Sequence, residues 1–459
     1  MVNVDSLIDL DKAVQSKQVF WDQDIYDQEM ENIFGRSWLF LTHESQIPEP
    51  GDFFTTFMGE DPIIVARQKD GSVKAFINSC THRGNQVCHA DSGNTRSFVC
   101  SYHGWAFGID GSLAGVPLET EVYYNQLDKD SMGLREVALV DDYRGFIFGC
   151  FDEKAPALVE WLGEMAWYMD SWANSGGGAE LIGTPMKTIL KCNWKVPTEN
   201  FVGDGYHITW THVAALQIIG GPLGSAFGAG DMPPLEDMGA QITTRHGHGF
   251  GVIWDVGHAI HRNPQNYVEF QQQTLPEVIE KQGEWAGKMY TGHWNASLFP
   301  NCSFLYGTNT FKVWHPKGPH EIEVWTWTLV QKNMSPELKR EIQKEAIMSF
   351  GTAGTLESDD GENMETCTRT NRGFQTRKGT MNASMGLGVE GRHPELPGVV
   401  GSNFIGETSY RGFYRFWDEM MRAADWDDVI KNDNTWVDQW LGEGAVSKLP
   451  ALDAAFKAA

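Results

Sequence analysis

The spacing of apolar and polar positions divides the chain into stretches of different character. Near the start, Ile25, Tyr26, Met30, Ile33 and Phe34 recur at helical spacing, and Gly35 is placed to end the helix. From about Trp38 the period shortens to that of strands: residues 52–57, 63–67 and 73–78 are apolar runs separated by turn residues. Asp70-Gly71 between the last two predicts a hairpin. Strand character continues through Phe98-Val99, 105–107 and 145–149 to about Phe151.

After Pro156 the pattern is mixed. Residues 158–172 read as a helix, Ser175-Gly-Gly-Gly178 as a flexible joint, and 321–330 alternates as a half-buried strand should. A well-marked helix follows, with Ser335 as N-cap, Pro336 at the first position, Glu337 in the first turn, and Leu338, Ile342 and Ala346 on one face. Gly351 is placed to stop it. A last helix carries Phe413, Phe416, Trp417, Met420 and Met421, a stripe expected to be core. Between Gly220 and Gly230 stand five glycines, which predicts a mobile segment.

Length and composition narrow the class. At 459 residues the chain is long enough for two or three domains with proper cores. A net charge of −25 counts against nucleic-acid binding, which needs clustered Lys and Arg. No apolar run reaches the ~18 residues of a membrane span, and MVNVDSLIDLDKA lacks a basic region followed by an apolar one, so the cytoplasm is expected. The seven cysteines at 80, 88, 100, 150, 192, 302 and 367 are odd in number and scattered. That pattern points to free thiols or metal ligands rather than a disulfide framework. Eighteen Trp, 25 Phe and 12 Tyr fit a large core with subunit interfaces, and also a pocket for a flat apolar ligand.

Two constellations carry chemistry. Cys80-Thr-His82 is followed by Cys100-Ser-Tyr-His103, so each of two short loops supplies one thiolate and one imidazole. Zinc modules usually pair like ligands on one loop. One Cys and one His per loop instead suits a [2Fe–2S] cluster held by two Cys on one iron and two His on the other, the Rieske type. Glycines in His82-Arg83-Gly84 and His103-Gly104-Trp105 allow tight loops. The other five cysteines have no partner pattern and read as buried small hydrophobes.

Further on, Asn200-Phe-Val-Gly-Asp204-Gly-Tyr-His207-Ile-Thr-Trp-Thr-His212 contains Asp-x2-His-x4-His. Two histidines and one carboxylate on one face of a metal leave positions open for oxygen, as in non-haem Fe(II) oxygenases. Five residues apart, His207 and His212 would lie ~140° apart on an ideal helix, so both reach one metal only where the helix is distorted. Asp204 stands where it favours a hydrogen bond to His207 over ligation. The stretch Glu357-Ser-Asp-Asp360-Gly-Glu is a second source of carboxylate, though by itself it reads first as a solvated acidic turn.

The C-x-H-x17-C-x2-H pattern with its HRG and HGW flanks, NFVGDGYH, and ESDDGENMET together resemble the large subunits of bacterial aromatic-ring-hydroxylating dioxygenases. The likeness runs from Phe34-Gly-Arg-Ser-Trp38 to Gly406–Phe413 and is strongest toward large subunits acting on polycyclic aromatic hydrocarbons. It implies an α+β fold in which a β-rich Rieske domain, 38–157, is inserted into a catalytic domain made of 1–37 and 158–459 with an antiparallel sheet flanked by helices. Cys80, His82, Cys100 and His103 would hold the cluster, and His207, His212 and Asp360 a mononuclear Fe(II). Asp204 would bridge His207 to His103 of a neighbouring subunit. Asn200, Phe201, His293, Asn295, Leu305, Phe350, Leu356 and Phe404 would line the pocket, with Leu223 and Ile260 at a mobile entrance. The resemblance further implies a small beta subunit in an α3β3 hexamer, a ferredoxin with an NADH-dependent reductase, and cis-dihydroxylation of an arene by O2. A monooxygenase or demethylase on the same scaffold is the alternative.

Overall fold

A computed structural model of the chain describes residues 4–219, 234–257, 261 and 264–442. The glycine-rich stretch starting at Gly220, including Leu223, and Ile260 lie outside the described residues. The fold is α+β, and its described strand pairings within sheets are antiparallel. It forms two compact units: Phe34–Leu158, and a larger one contributed by the segments up to Ile33 and from Val159. Among the described residues no helix is long and apolar enough to cross a membrane.

The smaller unit is built of short strands. Val73–Ile77, Asp61–Arg67, Asp52–Met58 and Ser92–Asn94 form one sheet in that order, with the expected hairpin turning at Asp70-Gly71. Leu113–Gly115, Ala106–Gly108 and Ser97–Val99 form a second. Phe53, Ile64, Phe76, Phe98, Trp105 and Phe107 fill the core between them. Cys80 and Cys100 lie at the edge of that core, each on a loop leaving a strand.

In the larger unit eight strands run in the order Ala179–Leu190, Ile322–Gln331, Thr310–Pro316, Cys302–Tyr306, His293–Leu298, Gly249–Ile253, Gly239–Thr243 and Val399–Val400. Helices lie against this sheet, among them Pro336–Phe350 and Thr408–Arg422. The first is capped as its sequence dictates: Ser335 accepts the Leu338 N–H and Gly351 ends it. The aromatic and methionine stripe of the second is buried, but it is not the last helix, since Trp426–Ile430 and Trp436–Leu441 follow.

Several expectations change. The first helix is α over Gln23–Glu29 and widens into a π turn over Met30–Phe34. The helix expected over 158–172 is broken in two at Gly163, whose φ of +52° departs from helical geometry. Ser175–Gly178 is a tight, hydrogen-bonded turn and no joint: the three glycines have φ between +58° and +96°, and Gln331 Nε2 donates to the Ser175 carbonyl. The strand Ile322–Gln331 is buried on both faces, because its threonines face other strands and side chains rather than water. Cys88, Cys150, Cys192 and Cys302 are buried as expected, whereas Cys367 is exposed.

Burial also sets an acid limit. His248 lies within the larger unit, its Nδ1 accepting the Phe299 N–H and its Nε2 facing the Trp161 carbonyl. Burial, reinforced by the neighbouring His246, pushes its pKa down to about 3. In the unfolded chain an imidazole takes up its proton near pH 6.5, so the unfolded state binds more protons below that pH. Stability due to His248 is therefore complete above pH 6.5 and lost by about 1.4 kcal/mol per unit as pH falls toward 3. We expect the melting temperature to drop between pH 7 and pH 5, and to drop less in His248→Asn. Equal slopes in calorimetry would show that His248 is not the group responsible.

Candidate functional site

The two Cys-His loops of the smaller unit share one backbone design. Cys80 N–H donates to the Asn85 carbonyl and Gly84 N–H to the Cys80 carbonyl, at 2.8 and 2.7 Å. Cys100 and Gly104 repeat both bonds, with Trp105 and Cys100 as acceptors, at 2.8 and 2.9 Å. Gly84 and Gly104 both have φ of +73°, in the left-handed region that favours glycine. The N–H groups of His82 and Arg83 are directed at the Cys80 sulfur, and those of Tyr102 and His103 at the Cys100 sulfur. Burial pushes the Cys100 thiol up, yet these N–H groups and the Asn85 amide outweigh it and hold the thiol below its usual range. Asn78 anchors the first loop, accepting from Val87 and Cys88 N–H and donating to the Cys88 carbonyl.

The imidazoles of His82 and His103 stand side by side, ring centres 4.5 Å apart. His82 stacks on Trp105 and its Nδ1 is buried with no hydrogen-bond partner among the described residues. A buried, unpartnered ring nitrogen on loops whose two thiols interact with each other fits a cluster bound through two sulfurs and two imidazoles.

In the larger unit the helix Lys195–Phe201 carries Asn200 and Phe201 to the site, and a tight turn follows. Within it, Gly205 lies so close to Phe404 that a Cβ would collide with its carbonyl oxygen. Asp204 Oδ1 accepts the N–H groups of Tyr206 and His207 at 3.0 and 3.2 Å. His207 then opens the 3-10 turn His207–Thr209, whereas His212 directly precedes the helix Val213–Ile219. The two histidines are thus on different elements, which resolves the poor angle of an ideal helix.

Asp360 lies in the helix Thr355–Asn371 and is 4% exposed, so the solvated turn that the local sequence favours is a buried helical turn. Its Oδ1 is 3.4 Å from His207 Nε2 and 3.1 Å from His212 Nε2. Ligand atoms of these three residues all lie within 4.8 Å of one another. The opposite ring nitrogens are held from behind: His207 Nδ1 by Asp204 Oδ2 at 3.3 Å, His212 Nδ1 by Asp359 Oδ2 at 3.4 Å. Each histidine therefore presents Nε2 to the shared centre and rests Nδ1 on a carboxylate, the usual backing of a metal-bound imidazole. Burial raises the Asp360 carboxyl, but the two imidazoles prevail and hold it down at about 2. Burial likewise opposes charge on His207, yet Asp204 and Asp360 hold its pKa up at about 10. A strong positive charge is wanted at this point, and the donor set of two imidazoles and one carboxylate fits ferrous iron.

Beside the triad, Asn200, Phe201, Ile208, Leu216, His293, Asn295, Leu305, Phe350 and Leu356 surround about 490 Å³ of space, its mouth included. Phe404 is not in this wall; it packs on Gly205, and its carbonyl accepts from Gln241. Ile208 and Leu216 are in it though the sequence reading passed over them, and their signal was adjacency: next to His207, and one turn after His212. Asp359 was missed for a similar reason, being one of several acids in a row. His293 is buried, which pushes its pKa down to about 4, and among the described residues its Nδ1 has no hydrogen-bond partner. A second, polar cavity lies against the same triad, lined by Glu199, Asp204, Glu407 and Tyr410.

Comparisons with known proteins agree with this geometry. The profile of the ring hydroxylating alpha subunit (catalytic domain) matches residues 158–423, and that of the Rieske [2Fe-2S] domain residues 37–128. The large oxygenase component of the naphthalene 1,2-dioxygenase system of Pseudomonas aeruginosa is 44% identical, over 94% of this chain and 97% of its own. The biphenyl 2,3-dioxygenase subunit alpha of Rhodococcus jostii (strain RHA1) is 38% identical, over 92% of each. A solved naphthalene 1,2-dioxygenase with indole bound in the active site superposes with a TM-score of 0.92 at 40% identity, covering 96% of this chain and 100% of that one. The chain therefore belongs to the alpha subunits of aromatic-ring-hydroxylating dioxygenases, terminal oxygenase components whose cofactors are a Rieske [2Fe-2S] cluster and a mononuclear iron.

Proposed function

We propose that this chain adds both atoms of O2 to a polycyclic aromatic hydrocarbon, giving a cis-dihydrodiol. Residues 38–157 would form the cluster domain, and 1–37 with 158–459 the catalytic one. Its electrons come from NADH through a reductase and a ferredoxin, and it works in the cytoplasm with a small beta subunit in an α3β3 hexamer. The observation that carries the reading is a triad of two imidazoles and a carboxylate opening directly onto a mainly apolar pocket. When bound, the cluster stores single electrons and the ferrous iron activates O2.

The chain's own residues do the rest. Cys80, His82, Cys100 and His103 hold the cluster; His207, His212 and Asp360 hold the iron. Phe201, Leu305, Phe350 and Leu356 offer a flat hydrocarbon only area and shape, and removing its surface from water is worth about 25 cal/mol per Å². Those same side chains keep water from the reacting edge. Neutral His293, with Asn200 and Asn295, supplies polar atoms without net charge at one side of the pocket. Asp204 orients His207 and faces the surface. Tyr206 and Trp210 beside it are large exposed aromatics, Trp210 at 85%. On the smaller unit Tyr102, next to His103, is 62% exposed. Such aromatics suit surfaces covered on assembly, which supports electron passage from His103 of one subunit to Asp204 of the next.

The deciding experiment is product analysis under ¹⁸O2 with naphthalene, biphenyl and phenanthrene. Two labelled hydroxyls on adjacent carbons are expected; a single labelled oxygen would establish the monooxygenase alternative. In the same assay Phe350→Val should redirect which ring edge is oxidised, because Phe350 belongs to both the pocket wall and the surroundings of His212, at 6.5 Å between ring centres. Unchanged regiochemistry on several polycyclic arenes would remove Phe350 from that role.

A further inference from the structure

The strand Thr310–Pro316 lies inside the eight-stranded sheet, yet one of its side chains is a lysine with no exposure at all. A buried ammonium is tolerated only where every N–H finds an acceptor. Lys312 Nζ has three: Thr326 Oγ1 at 3.1 Å, the Phe350 carbonyl at 3.1 Å and Glu357 Oε2 at 2.8 Å. The rings of Trp314 and Phe201 stand at 5.5 and 5.9 Å from the charge.

Those acceptors sit on three different elements. Thr326 is directly opposite Lys312 on the adjacent strand. Phe350 is the last residue of its helix, so its carbonyl is one that no helical N–H satisfies. Glu357 is in the first turn of the next helix, one turn before Asp360 on the same face. The lysine therefore ties the sheet to the corner between two helices. One side of that corner presents the Phe350 ring to the pocket, and the other presents Asp360 to the triad. Its charge also balances Glu357, whose carboxylate would otherwise act on Asp360 and His212 uncompensated.

We propose that Lys312 is a positioning residue that fixes the pocket wall and the iron-ligating carboxylate together, through the Phe350 carbonyl and the Glu357 carboxylate. The proposal rests on the triad and pocket assignments above. It differs from a purely structural role, in which a neutral side chain of similar length, with Glu357 neutralised, would serve as well.

The test compares wild type with Lys312→Met and the charge-neutral Lys312→Met/Glu357→Gln in the assembled holoenzyme. One readout is the rate at which mononuclear iron is lost to a chelator, with the visible absorption of the cluster as internal reference. The other is the ratio of regioisomers from phenanthrene. We expect iron to leave about 10- to 100-fold faster, as when the support of a metal ligand is removed, and the ratio to shift in both variants. If the single variant does not fold, the double variant carries both readings. Wild-type iron retention or a wild-type product ratio in the folded double variant would overturn the proposal. Should wild type itself yield no dihydrodiol, the functional reading fails, and iron retention still decides on Lys312.

Discussion

Asp360→Asn should leave the protein with an intact cluster absorption and almost no mononuclear iron. The substitution conserves size, and the side chain is buried, so the pocket has little reason to rearrange. It removes the negative charge that both Nε2 atoms face, at 3.4 and 3.1 Å. Losing a group that merely supports a ligand costs metal affinity about 10- to 100-fold, so losing the ligand itself should exceed about 100-fold. Asp359→Asn is the graded comparison, since Asp359 touches only the far nitrogen of His212. Metal analysis of both purified variants, normalised to cluster absorption, reads the series directly. Equal iron in wild type and Asp360→Asn would remove Asp360 from the ligand set.

The contrast between Asp360 and its neighbours also shows what a sequence can carry. Ser335, Pro336 and Gly351 act through bonds within a few residues, so the helix they bound was legible in full. The Cys-His loops were legible for the same reason: each ligand pair and its glycine close one short turn. His207 and His212 were legible as a pair, though the 3-10 turn that aligns them was not. Asp360 is different. Nothing local distinguishes a buried acid from a solvated one in Glu-Ser-Asp-Asp-Gly-Glu; the distinction comes from imidazoles about 150 residues earlier and from Lys312 on a central strand. The resemblance to a family supplied that long-range pairing. It was less reliable for the pocket wall, naming Phe404, which packs behind Gly205, and omitting Ile208 and Leu216. Alternation misjudged Ile322–Gln331 because a sheet covered on both faces can keep polar side chains inward when they find partners, as Thr326 does in Lys312.

Asp204→Asn should have the opposite signature to Asp360→Asn: both centres loaded once Fe(II) is supplied in excess, and product formation lower by about 100-fold. Asp204 Oδ1 accepts two backbone N–H groups, a duty an asparagine oxygen can continue, so the turn before His207 should persist. Oδ2 is the atom that changes. It faces His207 Nδ1 at 3.3 Å, and the side chain remains 38% exposed, free to meet a second partner from outside. A carboxylate can accept from imidazole N–H groups on both sides at once, whereas an amide nitrogen in that place can only donate. Iron affinity should therefore fall only by the about 10- to 100-fold of a lost supporting carboxylate, so the site still fills with excess Fe(II), while the proposed link to His103 of a neighbouring subunit is broken. The measurement that isolates this step starts from prereduced protein with bound substrate and follows cluster re-oxidation on adding O2. Rapid re-oxidation in wild type and a cluster that stays reduced in Asp204→Asn is the expected pair. A variant that re-oxidises and forms product at the wild-type rate would show that electrons reach His207 by another route.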